Sequence, residues 1–264
     1  MKIKLAIIGC GNMGSAIAQG VAQKNEQFEF YCFDLNADKR SELATNCKGV
    51  AVESFAEFSK CEYFLLAVKP QQFAELAATL KPHLPSGAKI ISVLAGTSSA
   101  TLQDKLGIKQ LVRVMPNTPC LIGEGISGLY FVGMNENDKT TVKSIFSAVG
   151  TVIEVDSDDM IDKITALSGS GPAYIFEITR IIAAKAQAFG FAEKTAQQIA
   201  VQLVKGAGSL MAGQDITPEE LRIQVTSEKG TTEAALNILN ELKLESVFCE
   251  AIQAAYERAK VLSS

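Results

Sequence analysis

The chain has 264 residues, 47% of them hydrophobic and 20% charged, with a formal net charge of -4. That length accommodates roughly two domains with ample core, and the composition is that of a compact soluble protein on the apolar side. No basic excess recommends nucleic acid or an acidic membrane as a partner, and no apolar run approaches the roughly 18 residues a bilayer span needs.

The N-terminus enters a strand almost at once, without the charged, apolar and cleavage segments of a leader, so a cytoplasmic protein is expected. The six cysteines, at 10, 32, 47, 61, 120 and 249, form no C-x-x-C pair and no zinc spacing. Cys10, Cys32 and Cys61 lie in or beside apolar strand runs, as small buried hydrophobes of a reducing compartment do. No local base or helix start marks any of them as a nucleophile. The single histidine, His83, sits in a proline-bounded loop and cannot supply a triad or a metal site alone. The chemistry is therefore expected to need neither histidine nor metal.

Ile3 to Ile8 reads as a buried strand, and Gly9, Gly11 and Gly14 follow it with the spacing G-x-G-x-x-G before a helix over Ser15 to Gln23. In that context the glycines predict a dinucleotide site: Gly9 for the tight turn, Gly11 for close approach to a pyrophosphate, and Gly14 for packing helix on strand. The helix start would aim its unpaired N–H groups at the phosphates. A second strand, Phe28 to Phe33, ends at Asp34, twenty residues past Gly14. An acid there accepts bonds from an adenine ribose and favours NAD. Asn36, Lys39 and Arg40 follow, equally able to hold a 2′-phosphate, and the choice stays open.

The alternation continues: a helix near Asp38 to Thr45, a short strand Gly49 to Val52, and the strand Tyr63 to Val68, broken by Pro70. Ala67-Val68-Lys69-Pro70 suits backbone running beneath a nicotinamide ribose, or a plain strand-to-helix turn. A helix Gln72 to Leu80, a strand Lys89 to Leu94, a helix Ser99 to Leu106 and a strand Gln110 to Val114 follow. The pattern predicts an α/β domain with a doubly wound, mostly parallel sheet that collects ligands at its strand ends. Beyond Arg113, prolines at 116 and 119 bracket Asn117 and Thr118 and fix their donors. Strands Ile126 to Val132 and Thr151 to Val155 flank a helix from Asn137 to Val149. Asp156, Asp158 and Asp159 then read as a capped helix start with a structural role.

Residues 159–264 read as helices alone, which places the domain boundary near Asp156, giving 1–156 and 157–264. Ser168-Gly-Ser-Gly-Pro-Ala173 breaks and restarts the first helix, with Pro172 in the first turn. Tyr174 to Phe189 is apolar on nearly every side, so a second subunit is expected to cover it. Thr217-Pro-Glu-Glu220 is a capping box. Val225 to Leu236 sets Ser227, Gly230, Thr231 and Thr232 at a helix start, an anion site with more hydroxyls than capping requires.

Five segments together, Ile8-Gly-Cys-Gly-Asn-Met-Gly14, Ala67-Val-Lys-Pro70, Met115-Pro-Asn-Thr-Pro119, Ser168-Gly-Ser-Gly-Pro-Ala-Tyr174 and Thr226-Ser-Glu-Lys-Gly-Thr-Thr232, stand in the order and near the spacing of pyrroline-5-carboxylate reductases. The chain resembles that family over its whole length. The resemblance implies a Rossmann domain followed by an all-α domain that interlocks with a partner's into a homodimer, often within a larger ring. It implies reduction of 1-pyrroline-5-carboxylate to L-proline by NADPH or NADH, with no metal.

The resemblance implies site residues too. Ser227, Gly230, Thr231 and Thr232 would bind the substrate carboxylate and ring nitrogen, with Thr232 the catalytic hydroxyl on that nitrogen. Asn117 and Ser170 would border the substrate. The cofactor set would comprise Ile8, Gly9, Gly11, Asn12, Met13, Gly14, Asp34, Asn36, Ser54, Ala67, Val68, Lys69, Pro70, Leu94, Ala95, Asn117 and Thr118. One departure stands out: where the family usually shows Ser-Pro-Gly-Gly-x-Thr, this chain has Glu228 and Lys229 for the proline and first glycine. Lys229 implies either an ordinary backbone angle there or a differently shaped loop. A reductase of another cyclic imine carboxylate, or a non-catalytic nucleotide-binding paralogue, are the alternatives.

Overall fold

The computed structural model describes residues 2–263. They form two compact units: residues up to Ser170 together with those from Ala255 onward, and Gly171–Ala254. The first unit begins β1 (Ile3–Ile8), α1 (Asn12–Lys24), β2 (Phe28–Phe33), α2 (Ala37–Asn46), β3 (Val50–Ala51), β4 (Tyr63–Leu66), α3 (Phe73–Leu80), β5 (Lys89–Ser92) and α4 (Ser99–Leu106). It continues through β6 (Gln110–Met115), β7 (Gly125–Val132), α5 (Glu136–Ser147), β8 (Gly150–Val155), α6 (Asp158–Ile164) and a π-helical turn, Thr165–Gly169. The remaining helices are α7 (Gly171–Ala188), α8 (Glu193–Ala212), α9 (Pro218–Gln224), α10 (Thr231–Glu241) and α11 (Leu244–Ser263), the last crossing the boundary between units.

The eight strands lie in the order β3-β2-β1-β4-β5-β6-β7-β8. Every neighbouring pair is parallel except β6 with β7, which runs antiparallel with Arg113 opposite Tyr130 and Met115 opposite Gly128. Alternation along β1 sends its side chains to opposite faces. Leu5 and Ile7 join a core with Ile17 and Val21 of α1 and Val142 and Ile145 of α5. Ala6 and Ile8 join a second core with Phe73 and Leu80 of α3 and Leu102 of α4. Each such Leu, Ile or Val, fully withdrawn from water, contributes about 1.5–3 kcal/mol. The doubly wound sheet expected from the sequence is present.

Several boundaries differ from expectation. α1 begins at Asn12, directly off the glycine loop, and not at Ser15. β4 stops at Leu66, two residues short of Val68, because the chain beyond it passes over the glycine turn of β1. β5 stops at Ser92, where the backbone N–H of Leu94 turns to the Ser92 hydroxyl. The Ser168-Gly-Ser-Gly break is the π-helical turn, in which Ser170 N–H donates to the Thr165 carbonyl at 2.9 Å.

The carboxylates after β8 have a partner that local reading missed. Ser157 caps α6, while Asp158 pairs with Nη1 of Arg113, a side chain only 3% exposed in β6. Arg113 Nη2 lies 3.3 Å from Asp162, whose other oxygen accepts from Ser263 of α11 at 2.6 Å. Burial pushes the Asp158 carboxyl up, but hydrogen bonds from Ser99 and Arg113 outweigh it and hold the group below the ordinary aspartate value.

The helical unit is different in kind. α7 packs on α8, yet between residues 171 and 254 the buried hydrophobic side chains are Ala186, Ala196, Ala200 and Leu221. Phe176 is 66% exposed and Ile181 52%, so α7 carries its apolar surface outward. Thr217 and Glu220 form the expected capping box. Among the described residues no helix is long and apolar enough to cross a membrane.

Candidate active site

The glycine loop is built as its spacing requires. Gly9 has φ +101, and a Cβ there would lie 2.6 Å from the Ala67 carbonyl oxygen, so both its backbone angle and its neighbour demand glycine. A Cβ on Gly14 would collide with the Gly9 carbonyl, which brings α1 hard against the turn. Gly11 is the opposite case: a Cβ there meets nothing within 4 Å. It faces open space as the N-cap of α1, where no side chain caps the helix, and its first N–H groups are left for an anion.

That open space is a cleft of about 530 Å³. From the predicted set it is lined by Ile8, Gly9, Gly11, Asp34, Ala67, Val68 and Lys69, and Asn12 borders an adjoining hollow of about 320 Å³. The fold thus gathers the carboxyl ends of β1, β2 and β4 on one nucleotide-sized groove. Phe33, Phe55 and Leu76 add an apolar wall that sequence reasoning did not single out, with the Phe33 and Phe55 rings 4.4 Å apart. The signal available was Phe55 itself, an aromatic placed directly after a serine cap.

Other predicted residues are engaged in building the framework. Met13 packs against the first core cluster and Gly14 is buried beneath the loop. Asn36 caps α2, accepting from Lys39 N–H at 3.0 Å. Ser54 caps the 3₁₀ turn Phe55–Lys60 in a capping box with Glu57. Pro70 opens a further 3₁₀ turn. Leu94 is 4% exposed and Ala95 half-buried beyond β5. The Asn117 side chain is used at both ends, its Oδ1 accepting from Ile126 N–H at 3.0 Å and its Nδ2 donating to the Ser168 carbonyl at 3.2 Å. It fastens the proline-bracketed loop to β7 and to the turn that carries half-buried Ser170, and leaves Thr118 exposed beside it. Cys10 is buried under the loop, and desolvation pushes its thiol up to about 12, which suits a structural thiol.

The loop at Ser227 lies in the helical unit. Gly230 is the N-cap of α10 and no side chain caps that helix, so the N–H groups of its first turn, beginning at Thr231 and Thr232, have no capping partner. Gly230 N–H closes the loop on the Ser227 carbonyl at 3.0 Å, and a Cβ on Gly230 would strike the Ser227 hydroxyl. Lys229 has φ +61. The glycine-type backbone is kept with a lysine in place, so the position does not have an ordinary angle. Its N–H donates to Glu233 at 2.7 Å, and its side chain is 88% exposed beside Glu228. Among the described residues no group of three or more His, Cys, Asp or Glu side chains could hold a metal ion.

Residues 158–262 match the family model for pyrroline-5-carboxylate reductase dimerisation, and residues 4–96 match a model described as NADP oxidoreductase, coenzyme F420-dependent. The chain is 34% identical to a pyrroline-5-carboxylate reductase of Pseudomonas aeruginosa, over 98% of this chain and 97% of that protein. A solved pyrroline-5-carboxylate reductase from Coxiella burnetii superposes with TM-score 0.92 and 33% identity, all of both chains being covered. One from Plasmodium falciparum with NADP bound gives TM-score 0.83 at 29% identity, covering 99% of this chain and 98% of that one.

Proposed function

The chain belongs to the pyrroline-5-carboxylate reductase family, and we propose that it reduces 1-pyrroline-5-carboxylate to L-proline with NADPH or NADH, the last step of proline biosynthesis. The observation that carries this reading is the cradle formed by Gly9, Gly11 and Gly14 at the uncapped start of α1, opening on a nucleotide-sized cleft. Bound there, the dihydronicotinamide supplies a hydride to the carbon of a C=N bond that is already electrophilic.

The protein's own work is positioning. Ala67, Val68 and Lys69 give the cofactor a backbone floor, and Asn117 holds the loop that presents Thr118. The first-turn N–H groups of α10, with Ser227, Gly230 and Thr231, take the substrate carboxylate. The Thr232 hydroxyl donates to the ring nitrogen as it becomes an amine, so neither histidine nor metal is called on. Ser170 supports the loop. The functional boundary on this reading falls at 156/157, with the dinucleotide-binding part before it and the substrate-binding and dimerising part after it. The outward apolar face of α7 supports a homodimer, which larger rings would reuse, and the enzyme works in the cytoplasm.

Spectrophotometric assay of NADPH and NADH oxidation with added 1-pyrroline-5-carboxylate, and chromatography of the proline formed, tests the reading. No oxidation with either dinucleotide would overturn it. The charged pair Glu228-Lys229 favours one second reading, a different cyclic imine carboxylate. Faster turnover of the six-membered homologue would select it.

A further inference from the structure

Two thiols meet inside the first core. Cys32 lies in β2, held between Ile7 of β1 and Ala51 of β3, and its Sγ stands 3.7 Å from that of Cys47, fifteen residues on, where α2 ends. Both side chains are buried and neither is in a disulfide.

The pair differs from the other buried cysteines. Desolvation pushes the Cys10 and Cys61 thiols up to about 12 and raises Cys120 as well, so these stay protonated and inert. Cys47 moves the other way: a hydrogen bond from Cys32 draws it below the ordinary thiol value, while the same bond, aided by burial, pushes Cys32 up. The thiolate is the reactive form, so Cys47 is the sulfur that attacks and Cys32 the one that resolves. Access is near at hand. Asn46 and Lys48, on either side of Cys47, are exposed, and the hollow of about 320 Å³ is lined by Leu43 and Asn46 of the same helical turn. Fraying of that one turn admits a small oxidant.

We infer that Cys32 and Cys47 are a redox pair, which hydrogen peroxide joins in a disulfide that cinches one wall of the cleft. The Cys47 thiolate attacks a peroxide oxygen, the O–O bond breaks, and the departing hydroxide takes the thiol's proton to leave as water, with a sulfenic acid left on Cys47. The Cys32 sulfur then displaces the sulfenic hydroxide, which leaves with the Cys32 proton as a second water: two thiols are oxidised and one peroxide is reduced. The ring so closed contains Phe33, Asp34, Leu35 and Lys39, all lining the cleft. Bonding brings the sulfurs to about 2.05 Å. Because β2 is paired on both sides, the end of α2 supplies that movement and takes the wall with it, which weakens dinucleotide binding. This last step rests on the dinucleotide reading of the cleft; the disulfide does not.

Peptide mapping of the full chain after exposure to hydrogen peroxide and alkylation of the remaining thiols tests the inference. A peptide linking Cys32 to Cys47 is expected, about 2 Da lighter than the two thiols and restored by dithiothreitol. Calorimetric titration of the linked protein should show NADPH and NADH bound at least about threefold more weakly than by the reduced protein. Cys32→Ala lacks the resolving sulfur, so its Cys47 should instead gain about 16 Da or more of oxygen. Free Cys32 and Cys47 after the exposed Cys249 has oxidised, or a link from either to another cysteine, overturns the inference and needs no folded variant to show it. Undiminished binding by the linked protein overturns the effect on the cleft wall. If the reduced protein binds neither dinucleotide, the cleft reading fails, and the peptide map still decides the redox pair.

Discussion

The two units of this chain meet the demands of folding in opposite ways. In the sheet unit, β1 contributes Leu5, Ala6, Ile7 and Ile8, all with no exposed surface, and helices cover both faces. In the helical unit the buried hydrophobic residues are chiefly alanines, and Phe176, Ile181 and Ile175 are presented to water. Large apolar side chains left open to water, where they gather on one face, mark a surface that binds. The contrast teaches that one half carries its own core while the other holds half of a core. On the homodimer reading proposed above, a second copy with the same face would complete it by twofold symmetry.

The sharpest way to break that contrast is to disable the part that is self-sufficient. Arg113→Met removes one partner of a buried ion cluster and leaves Asp162, 7% exposed, uncompensated. Denaturant unfolding should record a loss of about 3–5 kcal/mol. A loss under about 1 kcal/mol would show that the cluster is dispensable. The cluster also predicts an acid dependence. Asp158 is held below its ordinary value when folded, so its contribution is complete above roughly pH 4 and fades as pH falls further. Arg113→Met should flatten that acid limb.

Next in size, Phe176→Asp places a charge on the open face of the helical unit. Sedimentation should show association weakened at least about 30-fold, the loss of an aromatic anchor worth ~2 kcal/mol or more, with the helical content of the sheet unit unchanged. A protein that sediments as a monomer at micromolar concentration before any substitution would contradict the half-core reading. Thr232→Ala comes third. It should lower turnover by at least about tenfold, one good hydrogen bond at ~1.4 kcal/mol, while leaving dinucleotide binding to the sheet unit intact. Unchanged turnover would remove Thr232 from the chemistry. The smallest effect belongs to Lys229→Gly. Relief of a left-handed lysine, at φ +61, is worth about 1 kcal/mol and is partly offset by glycine's freedom in the unfolded chain. Thermal melting should show a rise of a degree or two.

What could be read in advance follows the same division. Gly9, Gly11 and Gly14 are legible because each answers a constraint set within a few residues of itself, apart from the Ala67 contact that shortens β4. The alternation of β1 and β2 announces two covered faces in the same local way. The ties that Arg113 makes to Asp158 and Asp162, and Asn117 to Ser168, were opaque for a common reason: those partners lie 45 to 51 residues on. No pattern in the sequence around them encodes that distance. Lys229 shows the limit from another side. A residue type suggests a backbone angle only when the surrounding loop does not impose one, and here the closure of Gly230 on Ser227 imposes it.

The single antiparallel step between β6 and β7 also sets a parity. Five parallel neighbours deliver the chain to the ligand edge of the sheet at Met115, and a short turn sends β7 back down. α5 returns the chain to that edge for β8, which runs with β7 and ends at the far edge, where α6 begins. α6 and the π-helical turn then climb again, and Asn117 ties the Ser168 carbonyl to the ligand edge. Had β7 continued parallel, its loop would have been a full crossover, and the chain would have reached α6 from the wrong side. One reversal in eight strands therefore decides at which end the first unit releases its chain.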